Sequence, residues 1–192
     1  NEGNIYVHLR HSKYSKPRTS YGYDESHIRA INSSGNTLWH KEIKADRPFT
    51  YDGYNSPVYN YANTLSFALD SDENVYAAGY FVGEYQGNKT VNQANAFIHK
   101  FDKNGNSVGL KILNTEHFTS INKIKISDNK NIYISGHTSG PIGGQKHFGG
   151  QDIFLANYDL KLNEKWLITE WTSTHDFAHD LFINNSNNNF FL

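Results

Sequence analysis

The chain has 192 residues, with 18 basic and 19 acidic residues and no cysteine. This composition excludes disulfides and thiolate zinc sites, and the balanced charge argues against a general nucleic-acid-binding protein. No apolar stretch approaches the roughly 20 residues of a membrane-spanning helix, so we expect no direct membrane insertion. Aromatic residues make up 15% of the sequence while long helix-forming runs are absent, which favours an all-β fold.

Three copies of one unit follow each other along the chain, and each opens on an asparagine that starts a short strand. The openings are Asn4, Asn74 and Asn131. A common offset of 31 residues leads from each opening to a turn position, which holds Gly35, Gly105 or Leu162. Four residues later stand Trp39, Gly109 and Trp166. A constant internal offset with variable spacing between units indicates a repeat architecture whose insertions collect in loops.

In chain order, the units are predicted to form short antiparallel strands, four to a complete unit. The first unit starts at its second strand, NIYVHLR, and an inserted loop at 44–63 separates it from the second. In the third unit, INKIKIS and NIYISG form a tight hairpin, and DIFLANYD places Phe154, Ala156 and Tyr158 on one face. A fourth unit contains only DLFIN and FFL. The predicted units, all in one domain, are 1–44, 63–113, 119–171 and 177–192.

The turn between the third and fourth strands differs among the copies. Gly35 and Gly105 stand where a residue with positive φ completes a hairpin with a bulge. Leu162 occupies the same position in the third copy, where a side chain disfavours positive φ. We therefore predict a reshaped third turn in which Asn163 takes the strained conformation.

The recurring residues resemble a known family. Its pattern is matched by Asn131 to Gly136, by GGQDIFLANYD at Gly149 to Asp159, by Trp166, and by TSTHDFA at Thr172 to Ala178. These pieces resemble the bacterial seven-bladed β-propeller repeat (SBBP) family, although Leu9 replaces the strand-end glycine in the first copy. The resemblance implies an all-β propeller of four-stranded antiparallel blades, in a secreted or cell-surface protein, and it implies no catalytic residues. We expect about three blades plus a partial one, as a fragment of a larger propeller.

In a propeller, the connections between the second and third strands of a blade and between successive blades lie on one face. Here those connections are long, at 11–24, 44–63, 81–94, 114–120, 137–151 and 172–178. Long loops commonly carry function, and tyrosine suits a surface that stacks on a sugar or contacts a protein. The candidate binding residues are Tyr21, Tyr23, Tyr51, Tyr54, Tyr59, Tyr61, Tyr85, His117, His147, Phe148 and His175. The alternative is that many of these rings only pack the loops onto the blade ends.

Two short motifs resemble metal sites. His175 and His179 have a helical metal-pair spacing but precede a strand. The segment Asp70-Ser-Asp72-Glu-Asn74 is similar to the start of a calcium loop, but Val75 and Phe81 stand where that loop needs Gly and Glu. A hairpin turn explains this segment better, since Asp and Asn are ordinary turn residues. We expect neither a metal site nor a cofactor.

The sequence therefore predicts a noncatalytic module, extracellular or on a bacterial cell surface, that binds a protein or glycan through its Tyr/His-rich loop face. It could serve within a larger surface complex. One alternative is a lyase or hydrolase with a central propeller pocket, although the predicted first strands offer few carboxylates or histidines for it. Another alternative is a structural spacer in a large surface assembly.

Overall fold

A computed structural model shows an all-β chain. It describes residues 3–13, 23–46, 49–51, 57–90, 93–184 and 189–191, and these residues contain strands and turns but no helix. The sheets are antiparallel, and the three larger ones have three or four strands each. The prediction of an all-β fold is confirmed.

The strands occur in the order that the repeat predicts. The first sheet contains β1 (Ile5–Lys13), β2 (Tyr23–Ile31) and β3 (Thr37–Ile43), followed by a hairpin of β4 (Phe49–Tyr51) and β5 (Pro57–Tyr59). The second sheet contains β6 (Tyr61–Leu69) and β7 (Val75–Val82); a small hairpin of β8 (Glu84–Tyr85) and β9 (Asn88–Lys89) precedes its last strands, β10 (Asn95–Phe101) and β11 (Ser107–Leu113). The third sheet contains β12 (Thr119–Ile126), β13 (Asn131–Thr138), β14 (Asp152–Asp159) and β15 (Glu164–Glu170), and β16 (Phe182–Asn184) pairs with β17 (Asn189–Phe191).

Besides the predicted loop 81–94, which holds the hairpin β8–β9, two predicted loops contain more strand than the sequence suggested. The predicted loop 11–24 begins inside β1 and ends inside β2, because the pairing of these strands continues to Lys13 and Tyr23. The predicted inserted loop 44–63 contains the hairpin β4–β5. Both differences come from local antiparallel pairing, which satisfies backbone groups that a loop would leave to solvent.

Five short turns at one end of the sheets, here called the turn end, share one hydrogen-bonding pattern. The first residue is Asn32, Asp70, Asp102, Ser127 or Asp159, and its backbone N–H donates to the carbonyl of the fifth residue at 2.9 to 3.1 Å. The fifth residue is always asparagine, at 36, 74, 106, 131 and 163. In four of the turns the first side chain also accepts from the third and fifth backbone N–H groups, as Asp102 does at 2.9 and 2.8 Å. This side-chain acceptor is what makes Asn and Asp effective turn formers here.

The prediction of a reshaped third turn is wrong. Leu162 itself adopts the left-handed conformation at φ +67°, and its backbone N–H donates to the Asp159 carbonyl at 3.0 Å, as Gly105 does to Asp102 at 2.9 Å. The physical reason is burial: the Leu162 side chain lies in the core between the second and third sheets. Packing of a buried leucine there outweighs a left-handed backbone cost of about 1–2 kcal/mol.

The sheets stack face to face, and alternate residues of each strand point to opposite neighbours. In β7, Val75 and Ala77 belong to the core shared with the first sheet, whereas Tyr76 and Ala78 belong to the core shared with the third. In the third sheet, Phe154, Ala156 and Tyr158 share one face, as predicted from their alternation, and that face packs against the second sheet. Because both faces of these strands are buried, apolar residues occupy consecutive positions along them and not only every second one.

One contact recurs at the turn end of the two seams between the three larger sheets. At the first seam, the ring of Trp39 lies on Gly105, and its Nε1–H donates to the carbonyl of Lys103 at 2.8 Å. At the second seam the sizes are exchanged, because Gly109 holds the position of the tryptophan and Leu162 the position of the glycine. Leu162 Cδ1 lies 3.4 Å from where a Cβ of Gly109 would stand. A large residue against glycine therefore fills each seam.

Candidate functional site

The ends of the sheets opposite the turns, here called the loop end, carry loops that are hydrogen-bonded to one another. Asp46 accepts from the backbone N–H groups of Gln86 and Gly87 at 2.9 and 2.7 Å. Farther along, the carbonyl of Phe118 accepts from Ser139, and Gly150 donates to Thr174, both at 2.9 Å. These bonds join neighbouring long loops in pairs, so the loop end presents fixed surfaces rather than separate loops.

A continuous row of six aromatic rings crosses the loop end from the second sheet to the segment before β16. We call it the ring row; its members are Tyr61, Tyr80, Phe118, His137, Phe177 and His175. Successive ring centroids are 5.9, 5.6, 5.4, 5.2 and 6.3 Å apart. These separations lie within the range in which aromatic side chains attract each other. The rings therefore support one another as a rigid surface.

The repeat itself generates this row. Tyr61 and Phe118 both stand 13 residues before the opening asparagine of their units, and Tyr80 and His137 both stand six residues after it. The second and third units thus each supply one ring at the start of the first strand and one at the end of the second. The candidates predicted from the sequence include Tyr61 and His175 but not Tyr80, Phe118, His137 or Phe177. Aligning the units position by position, instead of counting aromatic residues in loops, would have found Tyr80 and His137.

The chemistry of the row is apolar with a neutral imidazole at its centre. Burial lowers the pKa of His137, so this ring carries no charge near neutral pH. Its Nδ1 is buried without a hydrogen-bond partner among the described residues. Phe177 is exposed, whereas Tyr61, Tyr80, Phe118 and His137 are half-buried. The row can therefore contact a ligand through ring edges and faces, with hydrogen bonding left to the surrounding loops.

Tyr85 is a core residue, and this corrects its assignment to the exposed binding face. It is 1% exposed, its hydroxyl lies 2.6 Å from His99 Nδ1, and its ring packs against Phe81 and Phe97. His99 Nε2 in turn lies 2.7 Å from the Ser107 hydroxyl. Burial raises the pKa of Tyr85, reinforced by the charge of Asp46, and burial lowers the pKa of His99 to about 4. The small hairpin β8–β9 carries Tyr85 into the core, which a sequence count of loop tyrosines does not reveal.

The histidine candidates have different environments. His117 is half-buried beneath the chain at Gly140, where a Cβ would come within 2.0 Å of its Cδ2. His147 Nδ1 lies 2.9 Å from a carboxylate oxygen of the fully buried Asp152. His175 lies over Gly150 and stacks with Phe177. His117 and His147 thus hold loops in place, while His175 belongs to the ring row.

Phe148 is exposed and stacks with Trp171, which was not among the predicted residues. Their ring centroids are 4.1 Å apart and their planes meet at 30°. Phe148 is 38% and Trp171 51% exposed. The pair lies beside the ring row at the loop end, because Phe148 is two residues before Gly150, which lies against His175 of the row.

The remaining tyrosine candidates lie partly or wholly outside the described residues. Tyr21 and Tyr54 are outside them. Tyr23, Tyr51 and Tyr59 are placed as backbone in β2, β4 and β5, and their side chains are not described. Their role in binding stays a prediction.

The acidic segment at Asp70 forms a hairpin turn, as predicted. Its carboxylate accepts from Asn74 Nδ2 at 2.8 Å and from the Tyr76 hydroxyl at 3.0 Å, besides two backbone N–H groups. The hydrogen bonds that the Asp70 carboxylate accepts are thus made within the turn and the strand that follows it. Across the residues that the structure describes, no group of three or more His, Asp or Glu side chains is arranged to hold a metal ion.

Comparisons with known proteins do not extend these observations. No protein-family model matches the sequence, and no curated protein matches it significantly. Within the described part of the chain, no helix is long and apolar enough to cross a membrane.

Proposed function

We propose that this chain is part of a β-propeller and serves as a noncatalytic binding module whose loop end contacts a protein or glycan. The observation that carries the proposal is the ring row. Exposed or half-exposed aromatic rings held in a fixed arrangement are typical of binding surfaces. The position of the ring row also supports the proposal, since the row joins the first and second strands of consecutive units, where neighbouring loops meet.

The stacking of the sheets supports the propeller component of this proposal. Val75 of the second sheet and Ile132 of the third occupy equivalent positions, and both are 0% exposed because the preceding sheet covers them. Ile5 holds this position in the first sheet and is 55% exposed. In a propeller, a further blade covers that face. The resemblance to the bacterial propeller repeat agrees with this arrangement and with a secreted or surface location.

The composition of the inner strands favours binding over catalysis. A central active site requires titratable groups that converge from the first strands of successive units. Of these strands, β6 and β16 contain no His, Asp, Glu or Lys, and β12 contains only lysines among these residue types. The described first strands therefore offer no carboxylate or imidazole that could act as a general base or metal ligand.

The experiment compares wild type with a variant in which Phe177 and His175 are both alanine. Phe182→Ala is the matched control, because Phe182 is also an exposed ring but lies outside the row. Each protein is immobilised, exposed to an extract and a glycan preparation of the source organism, and the retained molecules are identified. We expect a ligand that wild type and the control retain and that the row variant loses. Equal retention by all three proteins would refute the row as the binding surface.

A further inference from the structure

We propose that the Phe148–Trp171 pair is a subsite for a single neutral sugar ring of a glycan. This inference deepens the proposed binding function by naming a ligand class and a position for it. The pair presents two large rings to solvent, 38% and 51% exposed, at a centroid distance of 4.1 Å. The aliphatic C–H face of a pyranose stacks on such rings, and aromatic rings lose little conformational entropy on binding.

The structure holds this exposed pair rigidly. The backbone N–H of Phe148 donates to the buried carboxylate of Asp152 at 2.9 Å, and the same oxygen contacts His147. Gly150 donates to the Thr174 carbonyl at 2.9 Å, and Asp176 donates to the Gln151 carbonyl at 2.7 Å. A fully buried carboxylate is costly unless it is paired and hydrogen-bonded, and the contacts of Asp152 with the Phe148 N–H and His147 reduce this cost. The hydrogen bond that Asp152 accepts from the Phe148 N–H fixes the backbone of a residue whose ring faces solvent, which indicates a preorganised contact surface.

The polar groups beside Trp171 fit the hydroxyl groups of a sugar. Thr172 Oγ1 lies 3.2 Å from Thr174 Oγ1 and donates to Asp176 Oδ1 at 3.0 Å. The Thr172 N–H donates to the other oxygen of Asp176 at 2.7 Å. Hydroxyl groups both donate and accept, and each carboxylate oxygen can accept more than one hydrogen bond. This cluster can therefore exchange hydrogen bonds with sugar hydroxyls without a new charge being buried.

The size of the patch favours a sugar over a protein. A stable protein interface covers about 800 Å² on each partner, with a central group of buried anchors. The Phe148–Trp171 pair offers only two rings, bordered by threonines and by an aspartate already engaged in hydrogen bonds. One sugar ring matches this patch in its combination of a flat apolar face with a polar edge.

Isothermal titration calorimetry with cellohexaose, xylohexaose, mannohexaose and chitohexaose tests the proposal directly. We expect at least one of these probes to bind wild type, and Trp171→Ala to weaken that binding by about tenfold or more, since one lost stacking contact is of this order. Trp171→Phe keeps a ring and should bind within about threefold of wild type by the same stacking argument. Phe182→Ala removes an exposed ring outside both the pair and the ring row and should leave the affinity unchanged.

Three outcomes overturn this inference: no probe binds wild type, Trp171→Ala binds as well as wild type, or the pair proves necessary only for a protein partner. The first of these leaves the proposed binding function standing if the variant with Phe177 and His175 replaced by alanine still loses a ligand that wild type retains. The failures of the two proposals are therefore distinguishable. Circular dichroism of each variant establishes that it is folded, and both rings of the pair are exposed enough to be truncated without opening the core.

Discussion

Gly35 and Gly105 hold the same position of the repeat, and Gly105 contacts Trp39 of the neighbouring sheet. A substitution at Gly35 is therefore the control for the same substitution at Gly105. Gly35 and Gly105 have nearly equal backbone conformations, at φ +82° and +80°. No described atom lies within 4 Å of a Cβ added at Gly35, whereas a Cβ at Gly105 would meet Trp39 Cδ2 at 2.8 Å and two further ring atoms at 3.0 Å. Gly35→Ala therefore introduces backbone strain alone. Gly105→Ala introduces the same strain and an overlap with the tryptophan.

The expected magnitudes follow from these two terms. A left-handed alanine costs about 1–2 kcal/mol, so Gly35→Ala should lower the free energy of unfolding by this amount. Overlap in a packed contact adds about 1–3 kcal/mol, which gives about 2–5 kcal/mol for Gly105→Ala. The ring cannot move away freely, because its Nε1–H is bonded to the Lys103 carbonyl in the same turn.

Urea unfolding followed by far-ultraviolet circular dichroism measures both free energies. The test is completed in a Trp39→Ala background, where the overlap is absent and Gly105→Ala should cost no more than Gly35→Ala. A difference between the two single variants below about 0.5 kcal/mol, the usual spread of surface substitutions, would contradict the packing of Trp39 on Gly105.

Three further predictions concern the core and the turns. Leu162→Gly relieves the left-handed backbone but removes a buried leucine, which is worth about 2–5 kcal/mol, so the protein should be net destabilised in urea unfolding. Burial lowers the pKa of His99 from 6.5 to about 4, so the unfolded chain binds a proton more readily than the folded one between these pH values. The free energy of unfolding should therefore be constant above pH 6.5 and fall by about 3 kcal/mol towards pH 4. His99→Gln should remove this part of the pH dependence. Burial alone raises the pKa of Asp70, but hydrogen bonds from Asn74 and Tyr76 outweigh it and lower the pKa below 3.8. The stabilisation from this carboxylate should therefore be lost as the pH falls below 3.8. Unfolding curves at pH 7 and pH 3 should show this loss in wild type and not in Asp70→Asn.

The strands were predictable because alternation and turn residues act locally. Asp102 and Asn106 determine their turn through hydrogen bonds within five residues, and Phe154, Ala156 and Tyr158 share a face through the geometry of a strand. Such features require no knowledge of the neighbouring sheet. A sequence pattern is sufficient for them.

The misplaced residues depend on contacts between units. Leu162 adopts a conformation that its own side chain disfavours, because Gly109 of the preceding unit leaves room for that side chain. Tyr85 looks like a loop residue, yet a two-residue strand carries it beneath the surface to His99. The ring row was incomplete in the sequence prediction because the contacts among its rings join different units; Tyr80 lies in β7, and His137, at the edge of the predicted loop 137–151, lies in β13. Each of these outcomes depends on which residues of different units come into contact, and a single sequence does not state those contacts directly.

The proposed radial stack of sheets is tested most directly by thiol labelling of single-cysteine variants, which is straightforward because the chain contains no cysteine. Ile5 and Leu38 are 55% and 51% exposed in the first sheet. In the second sheet, which another sheet covers, Val75 is equivalent to Ile5 and is 0% exposed, whereas Val108 is equivalent to Leu38 and is 53% exposed. In the polypeptide as its source produces it, a further sheet should therefore protect Ile5→Cys from a thiol reagent while Leu38→Cys reacts rapidly. Equal and rapid labelling of both variants would contradict the propeller.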